Sequence, residues 1–335
     1  MKNLQKYTKK MIAGLTTMAA VTSLWTSGTQ LISAQEEATK GPISVGIFQF
    51  NDHGSLNANR EGFIDGLAEL GYVEGENLTI DYMNANADIA NLQSMSESLV
   101  NNNDYLFAIA TPPAQALAGA TTDKPIIFSS VADPLGAGVV DSYEEPGRNL
   151  TGTTNIGPIP EQIDMLFDIT PDAKKVGIIY NSSEVNAQYQ VDIAIPEIEA
   201  HGAEAVLGTI TSTNDISQVM SNLVKEVDSV YLVTDNYIAA SMPLVGDIAK
   251  EAGLPIIGGS NDMIIENGLA TFGLDYYELG VQSAEMLVRI IEEDLDPATV
   301  PVEKAKVLEL IVNEDYAEVI GIDPTTIKAP AESAE

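Results

Sequence analysis

One stretch that occurs twice constrains this chain more than any other feature. VGIFQFNDH (45–53) and VGIIYNSSE (176–184) are apolar runs rich in Val and Ile that break into polar residues and lead into a helical pattern. Each is too short to span a membrane. Each reads as a buried parallel strand whose carboxyl end opens into a polar turn, where open α/β sheets bind ligands. The similarity continues beyond both runs. GFIDGLAELGY, LTIDY, NLQSMSESLV and YLFAIATPP after the first copy are answered by AIPEIEAHG, AEAVLGTI, DISQVMSNLVKEV and SVYLVTDNY after the second, and KPIIFSSVADP (124–134) by LPIIGGSNDM (254–263). Two βαβαβ lobes of one pattern are the simplest reading.

The fold class expected is therefore α/β, with two pseudo-symmetric doubly wound parallel-sheet lobes joined by a multi-strand hinge. Residues 42–156 with about 276–298 are expected to form lobe 1, and residues 157–275 with about 299–327 lobe 2. The turn EEPGRNLTGTTN and the prolines at 158 and 160 mark the first crossing. The helical pattern YYELGVQSAEMLVRIIEE has an apolar face suited to docking back on lobe 1. PVEKAKVLELIVN supplies one or two last strands, and residues 328–335 a flexible tail. Several crossings make a hinge that closes as a clamshell.

The amino terminus has a separate logic. Lys2, Lys6, Lys9 and Lys10 precede an uncharged stretch from 11 to about 34, and acidic residues begin at Glu36. This is the pattern of a secretory signal peptide over 1–34, followed by a linker over 35–41. LISAQ (31–35) has the shape of a lipoprotein signal with Gln35 where the lipid-bearing cysteine would stand. The chain has 0 Cys, so thioether lipidation, disulfides, thiolate metal sites and cysteine nucleophiles are all excluded. The net charge of −33, more negative without the lysines of the leader, repels nucleic acid and fits solubility outside the cell.

Catalytic and cofactor motifs are weak. No GxSxG elbow occurs, and GGSND lacks the closing glycine. Asp52 and His53 have no second ligand cluster at metal spacing. DPLGAGVVD (133–141) puts Asp141 where a dinucleotide fingerprint needs its third glycine, and there is no GxxxxGK[ST]. No cofactor, no metal and no catalytic residue are expected.

If the lobes face each other, their strand tips meet across one cleft. Gln49, Phe50 and Asn51 then oppose Tyr180, Asn181, Ser182 and Ser183, and Thr111 and Pro112 oppose Asp235 and Asn236. A further strand delivers Ser129, Ser130 and Asp133 to the same edge, and Asp275 with Tyr276 and Tyr277 stands on the hinge side. His53 follows the first tip and is within reach of the cleft. Ser182 and Ser183 read as helix-start donors for a carboxylate, or as plain caps. Asp235 reads as a partner for an ammonium group, or as a turn cap. Phe50, Tyr180 and Tyr237 read as aromatic walls, or as core. An anion site, a cation site and aromatic walls describe a zwitterionic aromatic amino acid.

GFIDGLAELGYVEGENLTIDY, IATPPAQA, SSVADPLGAGVV, NLTG, VGIIYNSSEVNA, TDNYIA and FGLDYYELG together resemble ABC-transporter substrate-binding proteins of the tryptophan and tyrosine type, over 43 to about 312. The resemblance implies a type I periplasmic-binding fold, capture of an aromatic amino acid outside the cell, and delivery to a membrane permease driven by a cytoplasmic ATPase. It also implies ligand contacts from Asn181, Ser182, Ser183, Asp235 and Asn236, with Thr111 and Pro112 from the other lobe. Gln35 departs from the lipid-bearing cysteine usual in Gram-positive members, and QFNDHGSLN (49–57) departs from the usual form around its histidine. A non-enzymatic monomer at the extracellular face of the membrane is expected, with tryptophan ahead of phenylalanine or tyrosine. The alternatives are a ligand-sensing partner of a membrane receptor, a binder of a nucleoside or sugar, or an enzyme such as a racemase, which commonly needs the paired cysteines absent here.

Overall fold

The computed structural model describes residues 40–330, and the expected leader, most of the linker and residues 331–335 lie outside them. The chain alternates strand and helix twice over. β1 (Ile43–Gln49), α1 (Gly54–Glu69), β2 (Leu78–Asn84), α2 (Leu92–Asn102), β3 (Tyr105–Ile109), α3 (Thr111–Ala120), β4 (Ile126–Ser129) and β5 (Leu150–Thr154) build the first unit. α4 (Ile159–Ile169) then leads into β6 (Lys175–Asn181), α5 (Val185–Ala200), β7 (Glu204–Ile210), α6 (Ile216–Leu223) and β8 (Ser229–Leu232). The short α7 (Asn236–Ala239) and α8 (Met242–Glu251) precede β9 (Ile256–Gly258), α9 (Asn261–Asn267) and β10 (Ala270–Leu274). α10 (Tyr276–Glu292), β11 (Glu303–Lys304), β12 (Leu308–Val312) and α11 (Glu314–Ile320) complete it.

The two sheets have the same strand order, β2-β1-β3-β4-β5-β11 and β7-β6-β8-β9-β10-β12. The first is parallel throughout, and in the second only β12 runs antiparallel, against β10. Each sheet has its own core. Phe63 stacks on Phe107 with ring centroids 3.7 Å apart in the first. Tyr231 is fully buried in the second, where its hydroxyl donates to Gln162 Oε1 at 2.7 Å. Strands buried on both faces cannot alternate apolar and polar residues, which is why the runs in the sequence are continuous.

The chain passes between the lobes three times, through residues 155–158, at Asp275 and through residues 305–307. The last crossing lies later than expected. Glu303 and Lys304 pair with Thr153 and Thr154 of β5, and Val300 and Val302 are buried in the first core. So 299–304 belong to lobe 1; a two-residue strand leaves no periodicity from which to place it. At the other end Lys40 anchors the start of the described chain on lobe 1, reaching Glu292 and the carbonyl of Leu70 and standing over the Tyr72 ring.

α10 does return to lobe 1, and it packs backbone to backbone on α1. A Cβ at Gly62 would lie 2.0 Å from the Tyr277 carbonyl oxygen, and one at Gly280 would lie 2.1 Å from that of Asn59. Only glycine permits that approach. The seam places the first residue of α10, Tyr276, at the junction of the lobes.

Candidate functional site

In this strand order the change of direction falls between β1 and β3, and between β6 and β8, and ligands bind beyond the carboxyl ends of the strands there. The tips face each other in a closed arrangement. Ser55 and Ser260 hydroxyls meet at 2.7 Å, Tyr237 OH donates to the Ala87 carbonyl at 3.1 Å, and Asn51 Nδ2 approaches the Asn236 carbonyl at 3.4 Å. Between the lobes lies a narrow cavity of about 20 Å³.

From lobe 1 the cavity is lined by His53, Ser55, Leu56 and Ser130, and from the connections by Asn155 and Tyr276. Lobe 2 supplies Asn186, Thr234, Asp235, Asn236, Ala239, Ser260 and Met263. Four of these side chains keep a buried polar atom with no hydrogen-bond partner in the protein: His53 Nδ1, Ser130 Oγ, Asn155 Oδ1 and Asn186 Oδ1. Buried polar groups are nearly always partnered, so a run of exceptions around one cavity marks where a ligand's polar atoms belong.

The local geometry follows from the strand ends. Ser130 has φ +59°, a left-handed turn that carries its side chain out of the sheet just after β4. Gly258 and Gly259, at φ +93° and +68°, turn β9 sharply enough to bring Ser260 to the cleft, where it also caps α9 by accepting from Met263 N. Asn155 Nδ2 donates to Tyr276 OH at 2.8 Å, tying two of the three crossings together and leaving Asn155 Oδ1 free.

Of the residues expected from sequence near the cleft, His53, Ser130, Asp235, Asn236 and Tyr276 line the cavity, and the others stand elsewhere. Gln49 is consumed by Asn51, Asn57, Arg60 and Tyr82. Phe50 and Tyr180 are core residues, and Phe50 meets Tyr237 at 6.3 Å and 60°, so these rings brace the closed lobes instead of walling the cavity. Thr111 is buried at the start of α3 and Pro112 is half-buried beside it. Ser129 bonds Asn59 and Thr153, one residue short of the serine that faces the site. Asp133 accepts from Gly136 N in its own turn. Asn181 ends β6, its Oδ1 accepting from Ser183 N in the turn that follows. Ser182 and Ser183 are exposed, and α5 begins only at Val185, so neither serine is a helix-start donor. Asp275 caps α10 through Tyr277 N and Glu278 N, and its neighbour Tyr276 reaches the site.

Asp235 is itself a cap. It is 1% exposed, its Oδ1 accepts from Tyr237 N and Ile238 N, and its Oδ2 accepts from Asn181 N at 2.6 Å. Beside it stands Glu184, the last residue of the second VGIIYNSSE run, to which the sequence alone assigns no role. Glu184 Oε2 accepts from Asn186 Nδ2 and Asn236 Nδ2, both at 2.9 Å, and Oε1 has no partner. Among the described residues no lysine or arginine pairs with either acid. Burial, reinforced by the Asp235 carboxylate, pushes Glu184 up to about 8, and burial raises Asp235 as well. Burial drives His53 the other way, to about 4, so its imidazole is neutral at physiological pH.

A carboxyl raised on folding favours the protonated folded state. The folded protein then binds more protons than the unfolded chain, and stability falls as pH rises from about 4.5 toward 8. The expected result is a ligand-free Tm that drops across that window, with Glu184→Gln flattening the drop. A wild-type profile rising from pH 5 to 8 would contradict the burial of Glu184.

Residues 44–330 match the family described as ABC transporter substrate binding protein. The chain belongs to that family. This substrate-binding protein is 36% identical over 314 residues to the tyrosine-binding protein of Clostridioides difficile strain R20291, covering 93% of this chain and 91% of that one. Its fold superposes with TM-score 0.82, at 33% identity, on an ABC domain from Streptococcus pneumonia in complex with L-Trp, covering 87% of this chain and 99% of that chain. Against the ligand-free, open structure of an adhesive substrate-binding protein of Clostridium difficile, 36% identical over 84% of this chain and 95% of that one, the TM-score is 0.66. The lower value against an open form fits lobes that are closed here. The neighbours are type I periplasmic binding proteins, the fold that the family resemblance implied, with the two α/β lobes expected from the duplicated pattern. Among the described residues of this substrate-binding protein no helix is long and apolar enough to cross a membrane.

Proposed function

We propose that this ABC substrate-binding protein captures an aromatic L-amino acid, tryptophan ahead of phenylalanine and tyrosine, by closure of its two lobes outside the cell. The observation that carries the reading is the cavity between the strand tips, where buried acceptors and two buried acids without a cationic partner create a demand for a cation, and the unpaired hydroxyl of Ser130 supplies a donor. Buried charge is stable only when paired. An α-ammonium and an α-carboxylate meet both needs, and the ligands in the names of the similar proteins support an aromatic side chain. Leu56, Met263 and Tyr276 supply apolar surface for the ring.

A signal peptide over 1–34, a mature monomer without lipid, and handover to a membrane permease with a cytoplasmic ATPase belong to the same proposal. Binding leaves the ligand chemically unchanged.

A thermal-shift panel of the twenty amino acids with representative sugars and nucleosides tests it. Ligand at a hundred times its Kd should add about 2.7 kcal/mol, a rise of several degrees in Tm for a chain of this size. Tryptophan, phenylalanine and tyrosine should give the largest rises; shifts from sugars or nucleosides alone would overturn the ligand class. Trp25 is the only tryptophan and lies in the leader, so mature protein allows bound tryptophan to be followed by its own emission.

A further inference from the structure

We propose that Glu184 is the positioning residue that makes one end of the cavity a receptor for an ammonium group, by turning the amide nitrogens of Asn186 and Asn236 away from the ligand. This rests on the amino-acid reading above. An ionised carboxylate only accepts hydrogen bonds, and an amide has a donor end and an acceptor end. Because both amide nitrogens donate to Glu184 Oε2, both amide oxygens face elsewhere.

The orientation propagates across the cleft. Asn236 Oδ1 stands 3.4 Å from His53 Nε2. An oxygen there needs a donor, so the single proton of the neutral imidazole sits on Nε2, and Nδ1 becomes a bare acceptor. His53 Nδ1 and Asn186 Oδ1 are both buried without partners. Asn155 Oδ1, set independently by the bond of its nitrogen to Tyr276 OH, is the third. One lobe, the other lobe and the connection between them thus each contribute one acceptor. An ammonium group carries three N–H donors. A hydroxyl or a carboxylate at that end would leave lone pairs opposed.

Methionine at 184 keeps the length of the side chain and removes the oxygen that both amides share. The amides of Asn186 and Asn236 are then released to turn and present a donor where the ligand needs an acceptor. The test is calorimetric titration of wild type and Glu184→Met with two probes, L-tryptophan and 3-(indol-3-yl)propanoate, which keeps ring and carboxylate and lacks the ammonium. For tryptophan the substitution should raise Kd by about 50-fold, the scale of one lost charge-assisted hydrogen bond. For the propanoate the change should stay within about threefold on the same scale. Asn186→Ala, which removes one acceptor and leaves Glu184 bonded to Asn236, should show the same discrimination and serves if the methionine variant folds poorly.

A pH readout separates this role from a merely structural one. The titratable groups facing Glu184 are Asp235 across the β8–α7 junction, Tyr237 on α7 and, one hydrogen bond further out, His53. Tyr237 is raised above its ordinary value and His53 is neutral, so between pH 6 and 8 the change belongs to Glu184 with the neighbouring Asp235. An ammonium favours the ionised carboxylate. Tryptophan affinity should therefore fall as pH is lowered from 8 to 6 in wild type, and stay flat in Glu184→Met. Equal losses for the two probes, or tryptophan affinity unchanged in both variants, overturn the role of Glu184 while leaving the amino-acid reading intact. Wild type that binds none of tryptophan, phenylalanine and tyrosine overturns that reading and this inference with it.

Discussion

Replacing Asp235 by alanine is expected to destabilise the protein by about 3 kcal/mol, because three buried backbone N–H groups lose their acceptor at once and each unmade bond costs about 1–3 kcal/mol. The groups are those of Tyr237, Ile238 and Asn181. Part of the loss is offset, since removing one of two buried like charges relieves Glu184. Asp235→Asn offers a graded control. Its amide oxygen can still cap α7, but its nitrogen would face Asn181 N, donor against donor, so about half the loss is expected by the same bookkeeping. Urea unfolding of the ligand-free proteins measures both. A midpoint for Asp235→Ala within about 1 kcal/mol of wild type would mean that the carboxylate is not the acceptor holding this corner. Binding should weaken along with stability, because Asp235 fixes the strand tip that precedes Glu184 and starts the helix that carries Asn236.

Gly62→Ala is the second large effect, and its sign is the informative part. Glycine to alanine inside an exposed helix normally stabilises by about 1 kcal/mol. Here the added methyl would stand 2.0 Å from the Tyr277 carbonyl oxygen, an atom of the α10 backbone that cannot rotate aside. The helices must separate, which also disturbs the bond from Asn59 Nδ2 to the Tyr276 carbonyl and the bond from Tyr277 OH to Asp65. A loss of about 3 kcal/mol is expected, at the upper end of the usual cost of overpacking. Gly119, exposed in α3 with nothing within 4 Å of where an added methyl would stand, is the internal control: Gly119→Ala should raise stability. If both substitutions raise Tm, α1 and α10 do not meet as described. Because α10 begins at Tyr276 on the cavity wall, Gly62→Ala should also loosen ligand binding, whereas Gly119→Ala should not.

The fold was legible because its signals are continuous. Long stretches of matching pattern surround each strand, and duplication made each lobe a check on the other. The same regularity brought Asp235 and Asn236 to the cleft. It could not separate Ser130 and Tyr276, which line the cavity, from their neighbours Ser129 and Asp275, which do not. A one-position error reverses which way a side chain points along extended backbone, and at Ser130 a left-handed φ, invisible in a serine, adds a further turn. Phe50 and Tyr180 were placed at tips by the same pattern, but a large apolar residue at the end of a buried strand is drawn into the core by the area it hides from water. Ser182 and Ser183 looked like a helix start, yet the chain makes one more turn before α5, and Glu184 takes the buried position.

What the amino-acid order determines by itself here is local: strand and helix periodicity, the repeat of the two lobes, the absence of cysteine chemistry, and the polar character of the strand ends. Tertiary structure alone decided which polar atoms stay unpaired. Whether an asparagine turns its oxygen or its nitrogen to a ligand depends on a partner far along the chain, as Asn236 depends on Glu184 on one side and His53 on the other. Hydrogen bonds are directional and act at about 3 Å, so the recognition end of this cavity exists only once the two lobes and their crossings have been brought together.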